Sequence, residues 1–569
     1  MAGIEAGKTW SRIGAEVAPT SSAASGVWGD LNEIAENVGA ETWPMPKEGF
    51  LWTMYYDGAS QNLFGYGVTA NSAGTKILVS GTSYKTGVNN SAAWFEMDIS
   101  TGAFSSTYPQ FYDSTNSLSM NAATGSSPKE DSSGNWMMPY AATISPYYTN
   151  SNFSLWNSSL VNQWKTGIDW ESGWSDSSGS ALASHGAFDS TDRRFFWYTQ
   201  QDEGDSDRNC AILVCLANTY AGGTGTPEWV ATLQPNGYTG APYYNQFNAN
   251  GGVAIDSSDN VYVLFLKNGD PGGSGTAPGL SKYNSSGTRQ ATLRFRILNA
   301  DSGSSSEAGN IQLGGDPSED GTHLYWSGTQ VWNSPAGQVM TRTKLSNLEM
   351  GDTGSGTGWW RELIFSGGAG STAQHGFGDT KGGTPLSDDD TLVYAASSGY
   401  GGYSDGKFRS YVTCRQASDG VVQWVYEIEH QTGGAADSCS PYGIDQKGGF
   451  LYLSGYHQMG SGRYQGWALK LKADGSTTGS TDFTVRTGDN SGTIACTQVI
   501  TKLTSGYTDS NIQVGNTPSV GYRVLEVPID TSYAVFGTAI IGELEAPGSG
   551  GVPAATATGQ TPGTNNVAV

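Results

Sequence analysis

The histidines and cysteines that could do chemistry are scattered along this chain. The histidines show none of the paired spacing of metal sites; they are His185, His323, His375, His430 and His457. We expect structural roles for them, because a lone histidine is more often structural than a ligand. The cysteines are odd in number and form no CxxC pair; they are Cys210, Cys215, Cys414, Cys439 and Cys496. Their spacing indicates neither a disulfide framework nor a thiolate zinc site.

Carboxylates are abundant, and a glycosidase would need two of them on one face of the fold. Glu427, Glu429 and Asp388 are candidates, but the sequence does not select a pair. The run Gly3 to Thr9 resembles a phosphate loop, but its glycine spacing is one residue short and no apolar strand precedes it. The run Asp205 to Asn209 has the alternating oxygens of a calcium loop without its glycine and distal glutamate.

These patterns predict no catalytic, cofactor-binding or metal-binding residue, and we expect that the chain is not an enzyme. The net charge of −23 disfavours direct binding of nucleic acid, because the protein surface repels phosphate. Cationic partners and metal ions stay open as alternatives. The N-terminus has no apolar core of signal-peptide type, and no apolar run approaches the length of a membrane span.

The composition is typical of short twisted strands joined by tight turns. Glycine accounts for 80 of 569 residues, aromatic residues for 11%, and charged residues for only 14%. A protein of long helices would need many more charged residues on its solvent-facing sides. Aromatic side chains favour strands and glycine favours turns, so the composition predicts an all-β protein with a substantial apolar core.

A strand–turn–strand phrase recurs through most of the chain. One copy is Val253 to Asp256, a polar turn, and Val261 to Phe265. The second strand of each copy is predicted to begin near positions 77, 136, 195, 261, 324, 392 and 451. Four-stranded repeats at this spacing predict a seven-bladed β-propeller, and Phe50 to Tyr56 could pair with the last blade and close the ring. An elongated β-sandwich array or a β-solenoid would also produce such strands.

Both ends of the chain differ from the repeats. A short helix is predicted after Asp30, with Leu31, Ile34 and Val38 on one face and Gly39 at its end. The candidate docking residues are Trp28, Leu31, Ile34 and Trp43, which would form a peg if they are exposed. The alternative is that this helix packs on its own propeller.

The predicted domains follow from these patterns. They are a docking segment over 1–48, a β-propeller over 49–485, a C-terminal β extension over 486–546 and a low-complexity tail over 547–569. The tail could become ordered on a partner.

The phrase from Ser25 to Glu33, followed by Thr42-Trp43-Pro44, resembles the segment that precedes repeat regions in tail and fibre proteins of marine tailed bacteriophages. The repeated strand phrases are similar to those of bacterial and phage seven-bladed propellers. The resemblance implies a structural protein of the virion, such as a tail hub, a tail fibre or an adhesin. It supplies no catalytic residues.

The expected function is therefore assembly and host-surface attachment as a tail or fibre component located in the virion. The expected partners are other virion subunits and a host-surface glycan, in a homo-oligomer without a membrane span or cofactor. Two alternatives stay open: a glycan-degrading tail enzyme and a secreted lectin-like propeller adhesin.

Overall fold

The computed structural model describes the chain in separate ranges. They are residues 51–56, 61–85, 91–100, 102, 110–111, 119–122, 126–144, 148–170, 185–202, 205–221, 227–233, 246–249, 251–270, 273–299, 311–330, 337–348, 358–365, 383–399, 405–458, 464–486, 493–511, 513–514, 522–528, 539–542 and 564–567. Every named element in these ranges is a β-strand, and they contain no helix. The helix predicted within residues 1–48 lies outside the described residues.

The chain enters the fold with β1 (Leu51–Tyr56) and then forms three antiparallel sheets. The first sheet contains β2 (Gln61–Ala70), β3 (Lys76–Lys85), β4 (Ser91–Asp98) and β5 (Gln110–Phe111). The second contains β6 (Ser119–Ala122), β7 (Lys129–Glu130), β8 (Trp136–Ile144), β9 (Tyr148–Trp156) and β10 (Asn162–Trp170). The third contains β11 (His185–Phe188), β12 (Arg194–Asp202), β13 (Asp205–Leu216) and β14 (Trp229–Leu233).

The next two sheets repeat this plan, with a divided inner strand in each. The fourth contains β15 (Gln246–Asn248), β16 (Val253–Ile255), β17 (Val261–Asp270), β18 (Gly273–Tyr283) and β19 (Arg289–Asn299). The fifth contains β20 (Ile311–Leu313), β21 (Ser318–Glu319), β22 (His323–Gln330), β23 (Gly337–Lys344) and β24 (Trp359–Phe365).

The sixth sheet is larger and contains two successive meanders. The first consists of β25 (Leu392–Gly399), β26 (Arg409–Gln416) and β27 (Val422–Thr432), and the second of β28 (Ala435–Lys447), β29 (Phe450–Gln458) and β30 (Tyr464–Lys472). β31 (Gly479–Arg486) and β32 (Thr493–Leu503) follow as a hairpin, and β32 pairs with β27.

The prediction of seven separate blades needs correction, because the described strands form six hydrogen-bonded sheets. The two meanders of the sixth sheet join directly: β27 pairs with β28 through Thr432 opposite Ala435 and His430 opposite Asp437. The hairpin between them turns at Gly433 and Gly434, which both have positive φ. This tight turn keeps the two strands hydrogen-bonded where a longer connection would separate two blades.

Each sheet buries both of its faces against its neighbours. Along β17, Val261, Val263 and Phe265 pack against the third sheet, whereas Tyr262 and Leu264 pack against the fifth. Side chains alternate between the faces of a strand, so a strand buried on both sides reads as a continuous apolar run.

Such apolar clusters connect every successive pair of sheets and also the two meanders of the sixth sheet. A last cluster packs Tyr452 and Ala468 of the sixth sheet against Val68 and Val79 of the first. The sheets therefore close a ring, which is a β-propeller arrangement.

The repeat positions predicted from the sequence agree with this ring. The strands β3, β8, β12, β17, β22, β25 and β29 begin within one residue of the seven predicted starts. The predicted closing strand is also confirmed: β1 pairs with β30, with Thr53 opposite Leu469.

The C-terminal strands pass back around the rim of the ring. They are β33 (Tyr507–Asn511), β34 (Gln513–Val514), β35 (Tyr522–Pro528), β36 (Ala539–Gly542) and β37 (Thr564–Val567). β33 pairs with β24, β35 with β19, β36 with β10 and β37 with β1, each on the outermost strand of its sheet. This order runs opposite to the order of the sheets. Main-chain groups that would be open sheet edges are therefore paired.

One buried ion pair anchors this rim segment. The guanidinium of Arg415 is fully buried, and its Nη1 lies 2.7 Å from Oδ1 of Asp509 on β33. Oδ2 of the same carboxylate lies 3.6 Å from Nη1 of Arg361 on β24. Asp509 therefore compensates a buried charge of the ring itself.

A tryptophan on an outer strand packs on a turn glycine of the next repeat. Trp359 of β24 lies against Gly420, where a Cβ atom would come within 2.6 Å of the indole ring. The indole Nε1 also donates to the carbonyl of Ala417 at 2.9 Å. The same contact recurs between Trp229 and Gly287 and between Trp424 and Gly475. These glycines have positive φ, a conformation that glycine adopts without the steric cost of a side chain.

We predict that Gly420→Ala destabilises the ring through two effects. The left-handed backbone costs an alanine about 1–2 kcal/mol. Displacement of Trp359 adds about 1–3 kcal/mol of overpacking. The urea midpoint of the full chain measures the sum.

Gly434→Ala is the matched control, because Gly434 has φ of 81° and a Cβ atom added there would meet nothing within 4 Å. It should show the backbone cost alone. Equal midpoints for the two variants would contradict the tryptophan contact.

We also predict that Asp509→Ala destabilises the chain by about 3 kcal/mol, because it leaves the buried Arg415 without its opposite charge. Thr508→Ala, at an exposed neighbouring position of β33, is the control and should change little. Equal unfolding midpoints for the two variants would show that β33 does not stabilise the ring through this ion pair.

Candidate functional site at the ring axis

The predicted docking residues Trp28, Leu31, Ile34 and Trp43 lie outside the described residues, as does the rejected phosphate-loop segment. Asp205 to Asn209 lies in β13, so this segment is a strand and not a loop around a metal. Among the described residues, no group of three or more histidines, cysteines or acidic side chains could hold a metal ion.

Two of the candidate glycosidase carboxylates, Glu427 and Glu429, accept hydrogen bonds from side chains of the neighbouring strand β26. Glu427 of β27 is buried and accepts a hydrogen bond from the Tyr411 hydroxyl at 2.7 Å. Glu429, two residues further along, accepts from Nε of Arg409 at 2.6 Å. The roles of both carboxylates in the fold are therefore visible in these contacts.

Asp388 lies in a turn before β25 and accepts hydrogen bonds from the second meander of the sixth sheet. Its Oδ2 accepts from Nε2 of Gln446 and from the Gly449 amide, both at 3.0 Å. These hydrogen bonds hold the pKa of Asp388 below its ordinary value against the opposing effect of burial. Asp388 thus links two meanders, and its contacts do not include Glu427 or Glu429.

The axis of the ring holds a charged group that we call the axial cluster: Lys129, His185, Asp316 and Asp445. Asp316 of the fifth sheet is the centre of this cluster. Its Oδ2 lies 2.6 Å from Nζ of Lys129 in the second sheet, and its Oδ1 lies 2.9 Å from Nδ1 of His185 in the third. Asp316 and His185 are buried, and the side chain of Lys129 is 26% exposed. One carboxylate thus contacts residues from two other sheets.

The backbone beside Asp316 extends these contacts to two more sheets. The Thr384 amide donates to the Asp316 carbonyl at 2.9 Å, and the Gly252 amide donates to the Gly315 carbonyl at 3.1 Å. A Cβ atom on Gly252 would lie 2.0 Å from Oδ1 of Asp316, so glycine is required for this close approach. Inner segments of the second to the sixth sheets therefore meet at Asp316 and its neighbour Gly315.

The two carboxyl groups of the axial cluster have opposite pKa shifts. Burial raises the pKa of Asp316, but Lys129 and His185 outweigh burial and hold that pKa below the ordinary value of 3.8. Burial raises the pKa of Asp445 to about 6, although the Ala70 amide donates to its Oδ2 at 2.7 Å. The position of Lys129 explains the difference, since it forms its short ion pair with Asp316.

A second group of interest is a cluster of aromatic rings, which we call the aromatic cluster: Phe64, Tyr66, Tyr442, Tyr456 and Tyr464. Its rings contact one another in a continuous chain with centroid separations of 4.9 to 6.0 Å. Tyr66 is buried, and the other four are half-buried. This cluster bridges the first and sixth sheets, where the ring closes.

The aromatic cluster and the axial cluster lie on the same inner strands. Tyr66 precedes Ala70 by four residues on β2, and Tyr442 precedes Asp445 by three residues on β28. Both strands then enter short turns, so the aromatic rings lie farther from the short-turn end of the ring than the charges do. Neither cluster is apparent from the sequence, because the members of each cluster come from separate repeats.

The structure also brings together two histidines that showed no paired spacing in the sequence. His430 and His457 are buried, with ring centroids 5.0 Å apart in an edge-to-face contact. Burial lowers the pKa of His430 well below 6.5 and that of His457 to about 3. Both rings therefore stay neutral at physiological pH.

The cysteines whose side chains are described, Cys215, Cys414, Cys439 and Cys496, are buried and free. Burial raises the pKa of each thiol, to about 12 for Cys215 and about 11 for Cys439. A buried thiol with a raised pKa is a poor nucleophile.

No protein-family model matches the chain, and no curated protein matches it. Solved structures do match, including a protein of unknown function from Dyadobacter fermentans DSM 18053, at 8% identity and TM-score 0.39, over 75% of this chain and 98% of the other. The polysaccharide lyase Uly1 matches at 8% identity and TM-score 0.40, over 75% and 100%. The WD40 domain of SCAP from fission yeast matches at 7% identity and TM-score 0.29, over 74% and 98%.

No helix among the described residues is long and apolar enough to cross a membrane. The structural similarities to solved proteins are too weak to assign a function to this chain.

We predict opposite pH dependence for variants of the two axial carboxylates. The folded pKa of Asp316 lies below its unfolded value, so its stabilising contribution is complete above pH 3.8 and is lost as the pH falls through the folded value. Asp316→Asn should therefore cost about 3 kcal/mol at pH 7 and progressively less in acid.

The folded pKa of Asp445 lies above its unfolded value, so its contribution is complete below pH 3.8 and is lost as the pH rises through about 6. Asp445→Asn, relative to the unmodified chain, should be more favourable at pH 8 than at pH 4. Urea midpoints across this pH range measure both variants. Parallel pH profiles for the two would contradict the charge arrangement at the axis.

Proposed function

We propose that this chain is a structural, non-catalytic component of a tailed-phage virion, acting in the tail or a fibre in assembly and host-surface attachment. The observation that carries the proposal is the closure of the ring at both its axis and its rim. The C-terminal strands cover outer edges of four sheets, and β1 completes the last meander. A ring with paired edges resists unwanted strand addition at the high local concentration within a particle.

The non-catalytic part of the proposal rests on how four of the described carboxylates are used. Asp316, Asp388, Glu427 and Glu429 all hold ion pairs or hydrogen bonds that join strands or sheets. A glycosidase needs one carboxyl group to donate a proton and a second one to act as base or nucleophile. Groups that hold the fold together are poorly suited to change their protonation in each catalytic cycle.

The docking segment of residues 1–48 would attach the ring to neighbouring virion subunits. It precedes β1 in the sequence, and β1 pairs with β30 of the sixth sheet. A rigid ring with one tethered segment suits a symmetric homo-oligomer, in which identical segments meet around an axis. One face of the ring then stays available for host-surface glycan.

Mass spectrometry of purified tailed-phage particles from the source lysate tests this function. The proposal expects the chain at a fixed copy number relative to the other tail proteins, and expects it to remain after washing at high salt. Absence of the chain from intact particles would overturn the virion role.

A turnover assay tests the non-catalytic part separately. The full chain, incubated with host-surface polysaccharide, should release no new reducing ends or unsaturated products. Steady product release that a single carboxylate substitution abolishes would overturn this part and favour a glycan-degrading enzyme.

A further inference from the structure

We propose that the aromatic cluster is a binding site for an uncharged glycan. This inference rests on the proposed attachment function and names the site and ligand class for it. The five rings form one continuous cluster that crosses from the first sheet to the sixth, with the ring centroid of Phe64 4.9 Å from that of Tyr464 and 5.0 Å from that of Tyr456.

The backbone explains how the rings come together. A Cβ atom on Gly65 would lie 3.0 Å from the Gly455 carbonyl oxygen, so β2 and β29 approach more closely than most side chains allow. This approach places Phe64, the neighbour of Gly65, against Tyr456, the neighbour of Gly455. Glycines thus set the spacing of the aromatic surface.

The partial exposure of these rings distinguishes them from the core beneath. Tyr452, four residues before Tyr456 on β29 and packed between the same two sheets, is 1% exposed. Phe64, Tyr442, Tyr456 and Tyr464 are each half-buried. Neighbouring rings hold these four side chains in place, and each of the four residues keeps part of its surface accessible to solvent.

The chemistry of the surface favours a sugar. Aromatic faces pack on the apolar faces of sugar rings, and tyrosine hydroxyls donate and accept hydrogen bonds as sugar hydroxyls require. The five side chains are uncharged, and the protein carries a net charge of −23. A polyanionic glycan would be repelled by this charge, so the surface fits a neutral chain.

Isothermal titration calorimetry on the full chain tests the site. The probes are the neutral oligosaccharides laminarihexaose, maltohexaose and cellohexaose, with polygalacturonate as the acidic probe. We expect at least one neutral probe to bind and polygalacturonate to bind more weakly.

Tyr456→Ala should weaken binding of the neutral probe about tenfold, because a stacking face is lost. Tyr456→Phe keeps the ring and should bind nearly as the unmodified chain does. Tyr220→Ala, at a half-buried tyrosine in edge-to-face contact with Trp164, is the control and should leave binding unchanged. If Tyr456→Ala fails to fold, Tyr464→Ala replaces it with the same expected loss.

Three results would overturn the inference: no binding of any neutral probe, unchanged binding after Tyr456→Ala, or preference for polygalacturonate. These results are separable from the virion test. A chain found in particles that binds no neutral probe refutes the glycan site alone. A chain that binds the probe but is absent from particles refutes the virion role alone.

Discussion

The fold depends on the polar contacts of one buried carboxylate. Asp316 lies where inner strands converge, and it contacts Lys129 and His185 from two other sheets. A buried charge is tolerated only with close partners, so the carboxylate fixes the positions of those strands relative to one another. The apolar clusters between sheets supply most of the stabilisation, and they are compatible with small sliding movements. The directional contacts at the axis restrict such movements.

The rim provides the complementary constraint. Strands from the C-terminal part of the chain add to outer edges of the second, fourth, fifth and sixth sheets. Opening the ring would therefore require loss of main-chain pairing at the rim as well as of packing between the sheets. Asp509 links the two layers, since it compensates the buried charge of Arg415. A propeller constrained at its centre and its edge can hold half-buried aromatic side chains such as Tyr456 in fixed positions. This reduces the conformational entropy that is lost when a ligand binds.

Local patterns in the sequence predicted the strands well, and long-range pairing was harder to predict. The starts of β3 to β29 in the repeats and the pairing of β1 with β30 follow from alternation and turn residues close in sequence. The pairing of β27 with β28 occurs through one short hairpin. The sequence of this hairpin does not reveal that two repeats share a sheet. The axial and aromatic clusters could not be predicted, because Lys129 and Asp316, or Phe64 and Tyr456, meet only when the ring closes. The same holds for the contact between His430 and His457.

Hydrogen exchange measured by mass spectrometry on the intact chain tests the closed ring most directly. If the rim segment is part of the ring, amides of β33 and β35 exchange slowly, with protection comparable to that of β24 and β19, the strands they pair with. Exchange of residues 507–528 at the rate of an unstructured peptide, while β24 and β19 stay protected, would contradict this account.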